Sequence, residues 1–462
     1  MNINPSIFRE YDIRGVWGRD LTPEAVQAIG KAYAVYLGKH AKRDRLKISV
    51  GRDVRLSSPE VFENLTAALT ASGVDVIDIG TCPTPLQYFS LFTLPVDGGI
   101  MITGSHNPSE FNGMKLSVGT ETLFGKKIQA IREIVERGET LSGTGCTGLY
   151  DIIPAYLEHV TDQISGMHPG LPFEGIKVVI DAGNGTGGLV VPELLRGLGC
   201  DVVELYCEPD GNFPNHHPDP VVLENIKDLR AAVRKERAHL GIGYDGDSDR
   251  IGVVDEEGDV IWGDRLMIIF ARALLKTNPG ATIIGEVKCS QTLYADIAAH
   301  GGKPLMWKTG HSLIKSKMKE THGLLAGEMS GHIFFADRYF GYDDALYASV
   351  RLIEIMANAG SPYSLKELLK DVPVTASTPE IRFDCPDEIK FKVVERVKDF
   401  FKDYPVIDID GVRINFPDGW GLIRASNTQP ALVLRFEASD GVLLEEIKNS
   451  VEAGLLDVMR EF

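Results

Sequence analysis

Cysteine is scarce, and the six residues present are scattered at 82, 146, 200, 207, 289 and 385 of a 462-residue chain. None forms a CxxC pair and no Cys/His group has zinc spacing, which argues against a disulfide scaffold and a structural zinc site. Reduced thiols, as in a cytosolic protein, are the expectation. Positive charge is also in deficit: Lys plus Arg number 48 against 65 Asp plus Glu, a formal net charge of −17. No basic surplus exists to neutralise a phosphate backbone, so nucleic acid is not an expected partner. A small anion still finds a site wherever Arg and Lys cluster locally. Long apolar runs are missing too. No stretch reaches the ~18 residues of a membrane span. The N-terminal MNINPSIFREYDIRG has neither the basic nor the apolar region of a signal peptide. A cytoplasmic protein with no membrane partner is expected, and no low-complexity segment interrupts it.

What remains is an ordinary globular mixture, 44% apolar and 24% charged. At ~100–200 residues per domain, the length suggests three or four domains. Three segments repeat one pattern: LKISVGRDVRLSSPEVFENLTAALTASGVDVIDIG (46–80), IKVVIDAGNGTGGLVVPELLRGLGCDVVELY (176–206) and ATIIGEVKCSQTLYADIAAHGGKPLMWK (281–308). Each reads as a β-branched strand, a polar or Gly-rich turn, an amphipathic helix of about three turns, and a second strand. Such units build parallel sheets flanked by helices. Their wide spacing predicts three similar α/β domains rather than a solenoid. The C-terminal end differs. PDEIKFKVVERVKDFF (386–401) reads as a helix, VIDIDGVRINF (406–416) as a hairpin with a DG turn, and GLIRASNTQPALVLRFEAS (421–439) as strand, loop, strand. This is a smaller α+β domain with an antiparallel sheet. The expected domains are 1–150, 151–255, 256–370 and 371–462.

Four loops carry chemistry. In TGSHNP (103–108), Gly104 and Pro108 shape a tight turn that presents Ser105, with its neighbouring amides expected free and His106 and Asn107 beside it. A serine that accepts or transfers a group is one reading, and a plain polar turn the other. In DGDSDR (245–250), Asp245, Asp247 and Asp249 alternate, so an extended loop projects them to one side. Converging carboxylates repel unless a hard cation joins them, and oxygen ligands favour Mg²⁺ or Ca²⁺. An EF-hand needs Gly where Arg250 stands, and a helix where IGVVD reads as strand. Mg²⁺, which keeps positions for water or phosphate, suits so few protein ligands better. In GEMSGH (327–332), Glu328 and Ser330 suit adjacent sugar hydroxyls, with His332 alternating after them. In RASNTQP (424–430), Arg424 offers a planar fork for phosphate, and Ser426, Asn427 and Thr428 offer short donors. One decoy competes: DAGNGTGG fits the dinucleotide GxGxxG through Gly183, Gly185 and Gly188, with Glu204 following. No other cofactor signal accompanies it.

A serine, a divalent-cation loop, a sugar-hydroxyl acceptor and a phosphate nest, each at a strand end, suit phosphoryl transfer in one cleft. The four loops, in this order, closely resemble those of the α-D-phosphohexomutases, and the resemblance spans essentially the whole chain. GEMSGH is similar to the bacterial phosphomannomutase/phosphoglucomutase branch. Phosphoglucosamine mutases usually carry Gln where this chain has Met329, and the phosphoglucomutase-only branch an acidic residue there. The resemblance implies three related α/β domains with mixed sheets, and a fourth domain resembling the TATA-binding-protein fold, around a central cleft. It implies an isomerase that carries phosphoserine at Ser105 and passes through glucose 1,6-bisphosphate or mannose 1,6-bisphosphate. Mg²⁺ would be held by Ser105, Asp245, Asp247 and Asp249. Substrate contacts are implied at Tyr11, His106, Arg250, Lys288, Glu328, Ser330 and His332, and phosphate contacts at Arg424, Ser426, Asn427 and Thr428. Lys115, Arg14 and His311 are the candidates for the general base, with Lys115 and Arg14 favoured, close to Ser105, and His311 in a proton or sugar-positioning role. Hexose phosphates would be the ligands of a monomer or small homo-oligomer. A phosphoglucosamine mutase and an idle phosphosugar-binding protein remain the alternatives.

Overall fold

The computed structural model describes residues 3–41, 43, 45–168, 170–426 and 430–462. Each of the three repeats folds as a parallel strand–helix–strand unit. Lys47–Arg52 pairs in parallel with Asp75–Thr81 across the helix Ser58–Ala71. Lys177–Asp181 pairs with Asp201–Leu205 across Val191–Gly197. Thr282–Glu286 pairs with Lys303–Trp307 across Gln291–Ala299.

Each unit then gains the same two strands on its other side. Gly98–Ile102 runs parallel to the first strand of its unit, and Phe111–Val118 returns antiparallel to it. Leu240–Tyr244 and Ile251–Asp255 repeat this arrangement, as do Leu325–Gly327 and Ile333–Phe335. The sheets are therefore mixed. Their inner strands are buried on both faces, as in Leu240–Tyr244, which accounts for their continuous apolar character. The loop closing each antiparallel pair is one of the loops singled out above.

The fourth sheet is antiparallel throughout its named strands, with Gly419–Ala425 and Ala431–Ala438 at its centre. Helices Lys390–Phe400 and Gly441–Met459 pack with it. The hairpin Val406–Ile407 with Val412–Phe416 forms where the DG turn predicts it.

One large core joins the modules. The helices Thr84–Thr93, Ile152–Met167 and Ala345–Ala359 supply Phe89, Tyr156 and Tyr347 to it, alongside Ile242 and Ile283. Full burial of such side chains contributes ~1.5–3 kcal/mol each. The first sheet and the fourth each have a further core of their own. Val287, Trp420 and Leu422 form a small apolar bridge from the third sheet to the fourth.

Two expectations change. The second repeat's helix is only seven residues long, preceded by a 3-10 turn at Thr186–Leu189. The glycines explain this. A Cβ on Gly188 would meet the Cys207 carbonyl at 1.9 Å, and one on Gly185 the Gly246 carbonyl at 2.7 Å. The Thr186 amide donates to Gly246 O at 3.1 Å. The GxGxxG segment is thus spent on seating the aspartate loop, and the amide that a pyrophosphate would need is already used. The aspartate loop is not extended either. Ser248 has φ +59°, and its amide donates back to Asp245 O at 3.0 Å, so the three aspartates converge through a tight turn.

Candidate active site

Ser105 sits at the bend between Gly98–Ile102 and Phe111–Val118 with φ +49°. Its environment differs from the expectation of free amides and exposure. The Gly104 amide donates to Asp53 Oδ2 at 3.0 Å, the Ser105 amide to Thr103 Oγ1 at 2.7 Å, and the Asn107 amide to Gly104 O at 2.9 Å. Ser105 is only 3% exposed, because the aspartate loop docks over it. Its hydroxyl donates to Asp245 Oδ2 at 3.1 Å and lies 3.1 Å from His106 Nδ1.

Asp245, Asp247 and Asp249 are fully buried, and one oxygen of each lies within 4.8 Å of the others. Asp247 Oδ2 accepts from Thr84 Oγ1 at 2.5 Å and from Lys115 Nζ at 2.9 Å, and Lys115 also pairs with Asp249. Burial works against the Lys115 charge, but Asp247 and Asp249 outweigh it and hold the ammonium well above its usual range. Burial, with Asp249 and Asp247 adding to it, pushes Asp245 well up. Asp247 Oδ1 and Asp249 Oδ1 find no hydrogen-bond partner among the described residues. Orphaned carboxylate oxygens are costly when buried, and three carboxylates beside a hydroxyl form an all-oxygen donor set. That set fits a hard divalent cation.

Arg250 Nε donates to His332 Nε2 at 3.0 Å. A guanidinium only donates, so a neutral His332 carries its proton on Nδ1. That nitrogen faces Asp343 Oδ2 at 3.1 Å and Asp249 Oδ1 at 3.6 Å. Asp249, His332 and Asp343 also have metal-ligand spacing, but a protonated Nδ1 is no ligand. The three side chains therefore sit as a buried cluster of close charge-pair contacts. Asp343 additionally holds Lys315 at 3.0 Å and His311 Nδ1 at 3.5 Å. Burial drives His311 well below its usual range, Asp343 offsetting only part of this, so its ring is neutral. Burial, reinforced by Arg250 and Arg14, does the same to His106.

The remaining sequence candidates gather around these groups. Arg14 pairs with Asp12 and donates to Asn107 Oδ1 at 2.9 Å. Tyr11 donates to Thr309 O at 2.9 Å, and its ring meets His311 edge-on at 5.9 Å. Glu328 Oε1 accepts from the Gly310 amide at 2.9 Å, and Glu328 Oε2 from Ser330 Oγ at 3.0 Å. Lys288 pairs with Glu380 at 3.1 Å. Arg424 Nε donates to Asp410 Oδ2 at 3.0 Å, and that oxygen also accepts from the Thr309 amide at 3.1 Å, which ties the fourth sheet's loop to the third. Ser426 is buried, its amide on Ala431 O at 2.9 Å. Asn427 and Thr428 lie outside the described residues.

Sequence reading missed Arg55, Asp343 and Glu286. Arg55 lay inside the first repeat as part of GRDVRLSS, and Asp343 in the acidic pair GYDDA. Glu286 accepts from Thr309 Oγ1 at 2.8 Å and the Met329 amide at 3.3 Å, bracing the GEMSGH loop.

Family models match the chain in four consecutive pieces. Phosphoglucomutase/phosphomannomutase alpha/beta/alpha domain I matches residues 5–142, domain II 154–258, domain III 262–375, and the C-terminal domain 380–454. The phosphomannomutase/phosphoglucomutase of Pseudomonas aeruginosa is 47% identical over 445 residues, covering 96% of this chain and 94% of that protein. This chain belongs to the phosphoglucomutase/phosphomannomutase family. A phosphoglucomutase of Neisseria gonorrhoeae is 44% identical, covering 98% of this chain and 97% of that protein. A solved family protein from Burkholderia thailandensis superposes with a TM-score of 0.91 at 40% identity, covering 99% of this chain and 98% of that one. As in a family whose domain models run I, II, III and C-terminal, the four loops come from four successive sheets. No helix among the described residues is long and apolar enough to cross a membrane.

Proposed function

We propose that this family member interconverts hexose 6-phosphate and hexose 1-phosphate, of glucose and of mannose, using Ser105 as phosphoryl carrier. The observation that carries this reading is the Ser105 hydroxyl on Asp245, inside a buried trio of carboxylates with two oxygens unsatisfied among the described residues. Its domains would be 1–150, 151–255, 256–370 and 371–462, close to the four matched pieces.

In the first half-reaction the P–Oγ bond of phospho-Ser105 breaks and a bond forms to O1 or O6 of the sugar phosphate. The hydroxyl proton passes to a base, and the product is glucose 1,6-bisphosphate or mannose 1,6-bisphosphate. The intermediate turns over and returns its other phosphoryl group to Ser105, recovering the proton. Asp245, Asp247 and Asp249 would hold Mg²⁺, which supplies charge stabilisation for the phosphoryl oxygens. The neutral ring of His311 supports its role as proton acceptor. Lys115 is charged while paired, so it would first have to leave its carboxylates. Arg14, held on Asn107, would position the serine loop. Glu328 and Ser330 would hold the sugar hydroxyls that occupy similar places in both orientations, with Tyr11, His106, Arg250, Lys288 and His332 around them. Arg424, Ser426, Asn427 and Thr428 would hold the phosphate not reacting. The net charge of −17 supports a reading without a nucleic-acid partner, and the accompanying reading is a cytoplasmic monomer or small homo-oligomer with no membrane partner.

The test is direct. Supply Mg²⁺, a trace of glucose 1,6-bisphosphate, and mannose, glucose or glucosamine 1-phosphate in turn. Comparable turnover of the first two, a phosphorylated species about 80 Da heavier by intact mass, and its loss in Ser105→Ala are expected. Dominant glucosamine turnover would reassign the sugar. Full activity of Ser105→Ala would overturn the carrier.

A further inference from the structure

The bend that presents Ser105 turns its backbone carbonyls inward. Arg55, only 1% exposed, meets them. Its Nη2 donates to Ser105 O at 2.7 Å and Asn107 O at 2.5 Å, and its Nη1 to Pro108 O at 2.5 Å and Phe111 O at 3.0 Å. Its Nε donates to Asp53 Oδ2 at 3.1 Å. A guanidinium has five N–H groups in a rigid fork, and these contacts use all of them.

Asp53 completes the arrangement from the other side. It accepts from the Gly104 amide at 3.0 Å, the Arg55 amide at 3.1 Å and Ser58 Oγ at 2.6 Å. A Cβ on Gly104 would lie 2.4 Å from the guanidinium, so only glycine admits the clamp here. Phe213, from the second module, lies over the guanidinium at 5.3 Å. Ser105 itself has a left-handed backbone, which a residue with a Cβ keeps only where its surroundings over-determine it.

We infer that Arg55 is the positioning residue that fixes Ser105 for phosphoryl transfer. The guanidinium, not the charge alone, does this, because four carbonyls on one bend need a planar fork. A lysine brings three donors from a single point and cannot span them. The inference rests on the reading of Ser105 as carrier. Arg55's own bonds go to backbone carbonyls and Asp53, so the ligand-binding loops of the third and fourth sheets do not depend on it.

The experiment compares wild type, Arg55→Lys and Arg55→Met in kcat, in KM for glucose 1-phosphate, in equilibrium binding of glucose 6-phosphate, and in phosphoserine content by mass. A bend loosened by about an ångström slows transfer about a hundredfold. Both variants should therefore lose about that much kcat, with KM and sugar-phosphate binding within about threefold. Asp53→Asn, which keeps the guanidinium and weakens its anchor, should lose about tenfold and serves if Arg55→Met does not fold. Wild type that carries phosphoserine, together with Arg55→Lys at more than a third of its kcat, overturns the clamp alone. So does Asp53→Asn at full kcat. Wild type that never acquires phosphate overturns the carrier reading beneath it.

Discussion

Replacing Lys115 with methionine measures how the carboxylate trio shares its charge. Lys115 Nζ lies 2.9 Å from Asp247 Oδ2 and also pairs with Asp249. Magnesium takes carboxylate oxygens at ~2.1 Å. A cation on that same Asp247 oxygen is therefore no more than about 5 Å from the ammonium, the sum of the two distances. A double charge against a single one at about 5 Å costs about 1.7 kcal/mol in the dielectric of water, and more where water is excluded. Lys115→Met should accordingly tighten Mg²⁺ binding by at least about tenfold. The same change leaves buried carboxylates without their ammonium, a loss of ~3–5 kcal/mol when one partner of a buried pair is removed. The metal-free variant should melt well below wild type and recover when Mg²⁺ is added. Titration calorimetry on chelator-stripped protein reads the affinity, and scanning calorimetry with and without Mg²⁺ reads the coupling. Unchanged or weakened binding would refute the reasoning. It would mean that ammonium and cation do not compete for these oxygens.

Two further predictions concern groups away from the chemistry. Burial pushes Asp344 up to about 6, although Tyr347, Tyr339 and Tyr156 donate to it. A carboxyl raised on folding stabilises the fold while protonated, so its contribution is full below about pH 4 and lost as pH rises through about 6. Asp344→Asn should remove that loss, on the order of 3 kcal/mol, and gain on wild type in thermal midpoint between pH 4 and pH 7; parallel curves would count against it. All six cysteines are free, and Cys146 alone of them is exposed. Burial lifts Cys82, Cys200 and Cys207 to about 12. An aromatic disulfide reagent should titrate one thiol fast in native protein and all six after unfolding, and reductant should leave the melting temperature unchanged.

The parts legible in the sequence were those written in adjacent residues. Gly and Pro mark the TGSHNP bend, alternating Asp marks the loop whose carboxylates converge, and the repeated strand–helix–strand segments mark the three parallel units. The rest depended on residues distant along the chain. Arg55 looks like one more charged residue in a turn, until residues 105–111 close over it. Asp343 acquires its importance from Lys315, His311 and His332. Ser105 reads as exposed because nothing local reveals that residues of the second module will cover it. The aspartate loop reads as extended because alternation is compatible with a strand, whereas Ser248 takes the left-handed backbone instead.

The order of residues along the chain also bears on how the protein is made. Thr84 precedes Asp247 by 163 residues and Lys115 precedes it by 132. On the ribosome, the hydroxyl and ammonium that quiet the acidic loop have already left the exit tunnel when its carboxylates emerge. Those carboxylates can settle against partners supplied by the chain itself, with no need to capture a cation first. Assembly is thereby separated from metal supply. On the proposed reading of the trio as a Mg²⁺ site, a cell short of magnesium would accumulate folded, dormant enzyme that is ready to load, rather than misfolded chains to be degraded.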